Sequence, residues 1–272
     1  MHGVLSQTHC KLARKFLISQ SYVRVILKTR SIKVKKRTSA PKYTEKQLLK
    51  QRSKLRFLRE TFFKAKSKTE VIVDDESFFT IDGSDCAGNS NYYYKEDANI
   101  SSKVRYKRHT KFPKRALVWL AISSRGASRP FVIESGNSIT ADIYSKQCIR
   151  LRLVPFLRKF HSDMDFIFWP DMASSHYAAS TLSVYDDFDI TYIPKERNVP
   201  NISQLRPIER YWHYLKQKTY EGGWETDSFE VLKKRILLKI RQTPKSIFSN
   251  LMAHVKSNVR KAADFGADSL CK

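Results

Sequence analysis

Two kinds of hydrophobic pattern follow one another along the chain. In residues 8–30 and 44–66, apolar side chains recur every three or four positions, which is the spacing of one face of a helix. From residue 67 onward, short apolar runs alternate with longer amphipathic segments, a pattern typical of strands alternating with helices. This order predicts an α/β domain with a mixed sheet flanked by helices, preceded by a small all-α module.

The α/β part begins with three strand-like runs before its first long helix. Two later strand-like runs alternate with helices, and the combination indicates a mixed sheet. The predicted strands are 70–82, 116–124, 129–135, 164–169 and 189–194. The predicted helices of this part are 140–160, 175–185, 206–220, 227–241 and 244–263.

The first 30 residues are typical of a helix-turn-helix, although an ordinary helical hairpin is the alternative. Ala13 and Val23 lie on the apolar faces of two short helices, and Leu17 occupies the turn position where glycine is usual. In a helix-turn-helix the second helix enters the major groove. Its N-cap and polar positions are then the candidates for DNA contacts: Ser19, Gln20, Ser21, Arg24 and Lys28.

We assign residues 1–32 to this DNA-binding module, 33–66 to a basic linker and connecting helix, and 67–272 to the α/β domain. The linker is cationic and lacks an apolar period, so it predicts contacts with DNA phosphates. In a eukaryotic host the linker cations could instead form a nuclear localisation signal, and the sequence does not distinguish this function from phosphate binding. They are Lys33, Lys35, Lys36 and Arg37.

The charge of the chain predicts a polyanionic partner. Lysine and arginine total 51 against 26 acidic residues, a net charge of +25, which is far beyond what solubility requires and favours double-stranded DNA. No apolar run approaches the roughly 20 residues of a membrane span, and the four cysteines are too far apart for a zinc knuckle or a disulfide framework. We therefore expect an intracellular protein with no membrane association and no small-molecule substrate, nuclear in a eukaryotic host and otherwise cytoplasmic.

Three acidic residues stand at positions that favour a site. Asp75, with Asp74 as the fallback, lies inside an apolar strand, where an unpaired charge is expensive. Asp171 directly follows another buried strand, and Glu209 lies in the first turn of a helix at the edge of its apolar stripe. Salt bridges to the many lysines, or a favourable interaction of Glu209 with the helix dipole, are the ordinary explanations.

Brought together, these three carboxylates could hold two Mg²⁺ or Mn²⁺ ions, because such ions prefer oxygen ligands. In a two-metal site one ion activates a water or a 3′-hydroxyl and the other stabilises the leaving oxygen. The acids therefore point to phosphodiester chemistry.

At these residues the chain resembles the mariner-like family of DNA transposases. The matching pieces are "DDESFF" around Asp75, "FWPDMASSHYA" around Asp171 and "QLRPIERYWHYLKQK" around Glu209, with 37 residues between the last two acids. The family pattern puts its first ligand immediately before Glu76, which selects Asp75 over Asp74. The resemblance implies a ribonuclease-H-like fold with an aspartate-aspartate-glutamate triad on two divalent ions. It also implies a homodimer that binds terminal inverted repeats, cleaves them and joins the 3′-hydroxyl to target DNA, typically at TA.

The chain departs from the family pattern in two respects. Many relatives carry asparagine after the second aspartate, where this chain has Met172, so that contact is either absent or replaced by Ser174, Ser175 or His176. The family usually has two helix-turn-helix modules, whereas this sequence begins with only the second, which suggests a truncated or degenerate copy or a start codon chosen too late. Two alternative functions are a metal-dependent nuclease without strand transfer and a non-catalytic, sequence-specific DNA-binding protein derived from a transposase.

Overall fold

The computed structural model describes residues 9–32, 43–64, 67–84, 101–102, 106, 111, 113–134, 136–200 and 202–270. The chain divides into two compact units, residues 1–41 and 42–272. The domain boundaries that we placed after residues 32 and 66 stay predictions.

The smaller unit contains two helices joined by a tight turn. They are α1 (His9–Phe16) and α2 (Gln20–Thr29). Ala13 of α1 and Val23 of α2 are buried, as expected for the small and branched residues at which two short helices contact one another. The predicted pair of helices is therefore confirmed.

The turn between these helices uses the residues that the sequence singled out. The Ser19 side chain accepts a hydrogen bond from the backbone N–H of Tyr22 at 3.1 Å and caps α2. Leu17 has a φ of 53°, a left-handed conformation that glycine adopts more easily than leucine. Its side chain is 92% exposed, so no packing compensates for this backbone strain.

The larger unit is built on a mixed five-stranded sheet, which confirms the predicted sheet type. The second strand pairs antiparallel with three neighbours, and the first and last strands pair in parallel. The strands are β1 (Glu70–Thr80), β2 (Arg115–Ser123), β3 (Gly126–Ala127), β4 (Phe131–Glu134) and β5 (Phe166–Trp169).

The prediction of a strand at residues 189–194 is wrong. This segment meets β5 at a single parallel bridge between Tyr192 and Phe168. Asp189 has a φ of 50°, and the N–H of Ile190 donates to the carbonyl of Tyr185 at 2.8 Å. Its first residues therefore complete the turn after the preceding helix and do not pair along the sheet.

The helices of the larger unit follow the predicted order with one break. The helix predicted at 244–263 is two helices, because the chain turns at Ala253 and His254 and each half buries its own apolar residues. Helix α4 is composite, with an α-turn (Ala141–Ile143), a π-helix (Tyr144–Leu153) and an α-helical end (Val154–Phe160). The others are α3 (Glu45–Thr61), α5 (Ala179–Asp187), α6 (Pro207–Thr219), α7 (Phe229–Arg241), α8 (Lys245–Met252) and α9 (Val255–Phe265).

Both faces of the sheet are covered by helices. Val71 and Val73 of β1 pack in one core with α3 and α6 to α9, whereas Ile72 packs in another with α4 and α5. Because successive residues of a strand point to opposite faces, Asp75 shares the face of α6, and Asp74 lies on the other. Among the described residues, no helix combines the length and apolar composition needed to cross a membrane.

Candidate active site

The end of β5 places two of the predicted acids side by side. Parallel pairing of β1 with β5 stops at Val73 opposite Trp169. Asp75 and Asp171 each lie two residues farther along, where β1 continues and β5 has ended. The edge of the sheet therefore brings together two acids that are far apart in the sequence.

A third carboxylate joins this pair. Oxygens of Asp75, Glu76 and Asp171 all lie within 4.8 Å of one another, a spacing that a single cation could bridge. Glu76, which directly follows Asp75, is not among the site residues predicted from the sequence. β2 continues to pair with β1 beyond Val73, but the pairing with β5 on the other side stops there, and within the described residues both Asp75 and Glu76 lie close to Asp171.

Glu209 faces the same space from α6. Asp75, Asp171 and Glu209 line one cavity of about 320 Å³. Pro207 opens the helix and Glu209 lies in its first turn, while Ile208 and Trp212 are buried against the sheet. Among the described residues, the closest carboxylate group does not include Glu209, which is an exposed residue of the cavity lining.

Asp74, the fallback for the first ligand, is placed differently. Its side chain is fully buried and accepts hydrogen bonds from Trp119 Nε1 at 3.0 Å and from the Tyr144 hydroxyl at 2.5 Å. Burial raises the pKa of this carboxyl. Asp75 instead accepts from Trp212 Nε1 at 3.2 Å and lines the cavity. Asp75 therefore lines the cavity, whereas Asp74 is buried behind it, and the choice of Asp75 as the ligand stays a prediction.

His176 links two of the clustered acids. Its Nδ1 lies 2.6 Å from Asp171 Oδ1, and its Nε2 lies 3.6 Å from Glu76 Oε1. The ring is buried and stacks on Tyr144, with centroids 4.0 Å apart. Burial alone would lower the pKa of His176, but the surrounding carboxylates, Asp74 foremost, raise it to about 10. His176 therefore supplies the contact to the second aspartate that the sequence left open between it, Ser174 and Ser175.

The cluster carries more negative charge than its surroundings neutralise. Burial raises the pKa of Asp75 to about 7, and the nearby carboxylates of Glu209 and Glu76 add to this effect against the opposing charge of Arg206. For Asp171 the contacts with His176 outweigh burial and lower the pKa. An all-carboxylate donor set with uncompensated charge matches the preference of Mg²⁺ and Mn²⁺.

The predicted DNA-contacting residues of the small unit lie on its surface. Ser19, Gln20, Ser21, Arg24 and Lys28 are all exposed, and Ser19 also caps α2. The predicted phosphate contacts Lys33, Lys35, Lys36 and Arg37 lie outside the described residues. Contact with DNA stays a prediction for both groups.

A larger cavity lies elsewhere in the same unit. It measures about 890 Å³, is lined mainly by apolar residues with a cationic rim, and has no carboxylate in its lining. Mg²⁺ and Mn²⁺ prefer oxygen ligands such as carboxylates, so the smaller acidic cavity is the candidate active site.

The chain is similar in structure to the Mos1 transposase. A Mos1 paired-end complex with the left transposon end is 17% identical, with a TM-score of 0.74 and coverage of 96% of this chain and 75% of that one. The mariner Mos1 paired end complex with Mg is 19% identical, with the same TM-score and coverage. The Mos1 mariner catalytic domain is 13% identical, with a TM-score of 0.61 and coverage of 85% of this chain and 98% of that one.

No protein-family model and no curated protein matches the sequence. At these identities the structural similarity shows the fold alone. The predicted ribonuclease-H-like mixed sheet flanked by helices, with helices preceding it, is confirmed. The chain therefore has the fold of the Mos1 mariner transposase.

Proposed function

We propose that this chain is a metal-dependent DNA transposase of the mariner type. The observation that carries the proposal is that Asp75, Asp171 and Glu209, distant in sequence, line one cavity. The similarity to Mos1, which has been solved with transposon-end DNA and with Mg, supports the same reading.

The donor set fits two divalent ions. Asp75 and Asp171 lie close enough to share one ion with Glu76, and Glu209 across the cavity offers a ligand for a second. When bound, Mg²⁺ or Mn²⁺ would activate a water or 3′-hydroxyl and stabilise the leaving oxygen. The chain's own residues hold the carboxylates in place, with His176 fixing Asp171 through a 2.6 Å contact and Trp212 donating to Asp75.

Positive charge brings DNA to this site. The net charge of +25 favours binding to the phosphate backbone, and Gln20, Ser21, Arg24 and Lys28 of α2 are exposed, as base-reading residues must be. In the proposal this helix reads the terminal inverted repeats, and the linker cations contact phosphates. The protein acts as a homodimer that pairs two element ends, works in the nucleus of a eukaryotic host and joins the ends to TA sites.

A strand-transfer assay tests the proposal. The purified protein is incubated with Mg²⁺ or Mn²⁺, a plasmid and a duplex carrying the candidate terminal repeat, read from the DNA that flanks the reading frame. We expect cleavage at the repeat and joining of a pre-cut 3′-hydroxyl end. Asp171→Asn should abolish both with nearly unchanged DNA affinity, whereas Asp227→Asn, at an exposed acid, should change neither.

Two other outcomes of this assay would each support one of the alternative functions. Cutting without joining would identify a metal-dependent nuclease. Sequence-specific binding with neither reaction would identify a DNA-binding protein derived from a transposase.

A further inference from the structure

Arg206 contacts the backbone just before each of the two clustered aspartates. Its guanidinium donates to the carbonyl oxygen of Asp74 through Nη2 at 2.5 Å and to that of Pro170 through Nη1 at 3.2 Å. These carbonyls belong to the residues that immediately precede Asp75 and Asp171. One side chain therefore ties the middle of β1 to the chain that leaves β5.

The third acid is connected through the backbone of Arg206 itself. Arg206 is the N-cap of α6, and its carbonyl accepts a hydrogen bond from the N–H of Glu209 at 3.3 Å. All three segments that carry the candidate ligands thus meet at this residue. A shift of the Arg206 side chain would change the separation of the carboxylates.

The place of Arg206 explains why an arginine is needed. In the described part of the chain, the pairing of β1 with β5 stops at Val73, so the carbonyls of Asp74 and Pro170 need donors other than a neighbouring strand. The Arg206 side chain is only 13% exposed, and Nη1 also lies 3.3 Å from the carbonyl of Trp169. A planar guanidinium offers two nitrogens in fixed geometry, whereas a lysine ammonium is a single point.

A purely ionic role accounts for these contacts less well. The Nη2 nitrogen lies 3.9 Å from Asp74 Oδ1, which is too long for a hydrogen bond. Within the described residues, the guanidinium hydrogen bonds to the backbone carbonyls of Trp169, Pro170 and Asp74. The Pro170 carbonyl is held a second time, by Nδ2 of Asn198 at 2.8 Å, which also favours a function in fixing the backbone.

We propose that Arg206 is a positioning residue that sets the spacing of the metal-binding carboxylates by clamping the backbone before Asp75 and Asp171. This inference rests on the proposed function, because it concerns the same acids. The residue does not contact the reacting atoms. It acts through the carbonyls that it holds.

The substitution Arg206→Lys tests the clamp because it keeps the positive charge but removes the planar pair of guanidinium nitrogens that bind the carbonyls. Its matched control is Arg210→Lys, an exposed arginine on the same helix. Mn²⁺ affinity is measured by isothermal titration calorimetry, the fold by circular dichroism, and DNA binding by fluorescence anisotropy. We expect Arg206→Lys to remain folded and to bind DNA as the wild type does, with Mn²⁺ affinity lowered by about tenfold or more. In the joining reaction kcat should fall with little change in KM for DNA, and Arg210→Lys should behave as the wild type.

Wild-type Mn²⁺ affinity in a folded Arg206→Lys variant would show that charge alone suffices and would overturn the clamp. Absence of Mn²⁺ binding to the wild-type protein would instead overturn the proposed function. If Arg206→Lys does not fold, ¹⁵N NMR of the metal-free wild type decides the matter. Separate Nη resonances for Arg206 are expected from a clamped guanidinium, and one averaged resonance from a freely rotating group would contradict it.

Discussion

Replacing Asp75 by asparagine should stabilise the metal-free protein. The substitution removes a negative charge that burial and the carboxylates of Glu209 and Glu76 disfavour. An asparagine oxygen can still accept the hydrogen bond that Trp212 Nε1 donates to Asp75 at 3.2 Å. The main change is therefore the loss of charge, with the shape of the site retained.

The size and pH dependence of this effect follow from the pKa of Asp75. The pKa rises from 3.8 to about 7 on folding, so the folded protein holds this proton more tightly than the unfolded chain. The charge then destabilises the fold increasingly as pH rises above 3.8 and fully above about 7. At 1.36 kcal/mol per pKa unit the ceiling is about 4 kcal/mol, and screening at the cavity reduces the expected value to about 1–2 kcal/mol.

Thermal melts in EDTA at pH 8.5 and pH 5.5 measure this difference. A gain of about 1–2 kcal/mol raises the Tm of a domain of this size by about 2–8 °C. Asp75→Asn should show this rise at pH 8.5 and about half of it at pH 5.5, because at pH 5.5 the folded wild-type protein keeps the Asp75 proton and only the unfolded chain loses it. Asp227→Asn, at an exposed acid, should leave Tm unchanged. A lower Tm for Asp75→Asn, or an equal rise at both pH values, would refute the reasoning.

Three further predictions concern other parts of the molecule. Glu76→Gln should weaken Mn²⁺ binding by about tenfold in calorimetry, because its oxygen lies with those of Asp75 and Asp171; unchanged affinity would mean that Glu76 only pairs with His176. Gln20→Ala with Arg24→Ala should narrow the ratio of specific to random DNA affinity in fluorescence anisotropy, and an unchanged ratio would mean that α2 only contacts phosphates. Leu17→Gly should stabilise the small unit by about 1 kcal/mol in chemical denaturation, because it relieves a φ of 53° at an exposed side chain; a loss of stability would contradict this account.

The parts of the fold that follow local patterns could be predicted from the sequence. Strands β1, β2 and β5 are apolar because helices cover both faces of the sheet, and Pro207 opens α6 as expected. The segment 189–194 has the same apolar character, but the turn at Asp189 prevents regular pairing. That turn depends on how the chain leaves α5, which composition does not encode.

The positions of the three acids inside a strand, after a strand and in the first turn of a helix are visible in the sequence, but the residues that contact them are not. Glu76 lies beside Asp171 at the point where β5 has ended at Trp169. The sequence around residue 76 does not indicate where a strand so distant in the chain ends. Arg206 bonds to backbone carbonyls, one of them 132 residues away. A side chain that binds backbone far along the chain has no local sequence signature.

The most direct test of the metal site is anomalous diffraction from a crystal soaked in Mn²⁺. The account predicts a peak within about 2.0–2.5 Å of carboxylate oxygens of Asp75 and Asp171, with a second peak adjoining Glu209, and the loss of both in Asp171→Asn. A map with no peak in this cavity, or with Mn²⁺ bound only to exposed acids elsewhere, would contradict the claim that these residues form a metal-dependent active site.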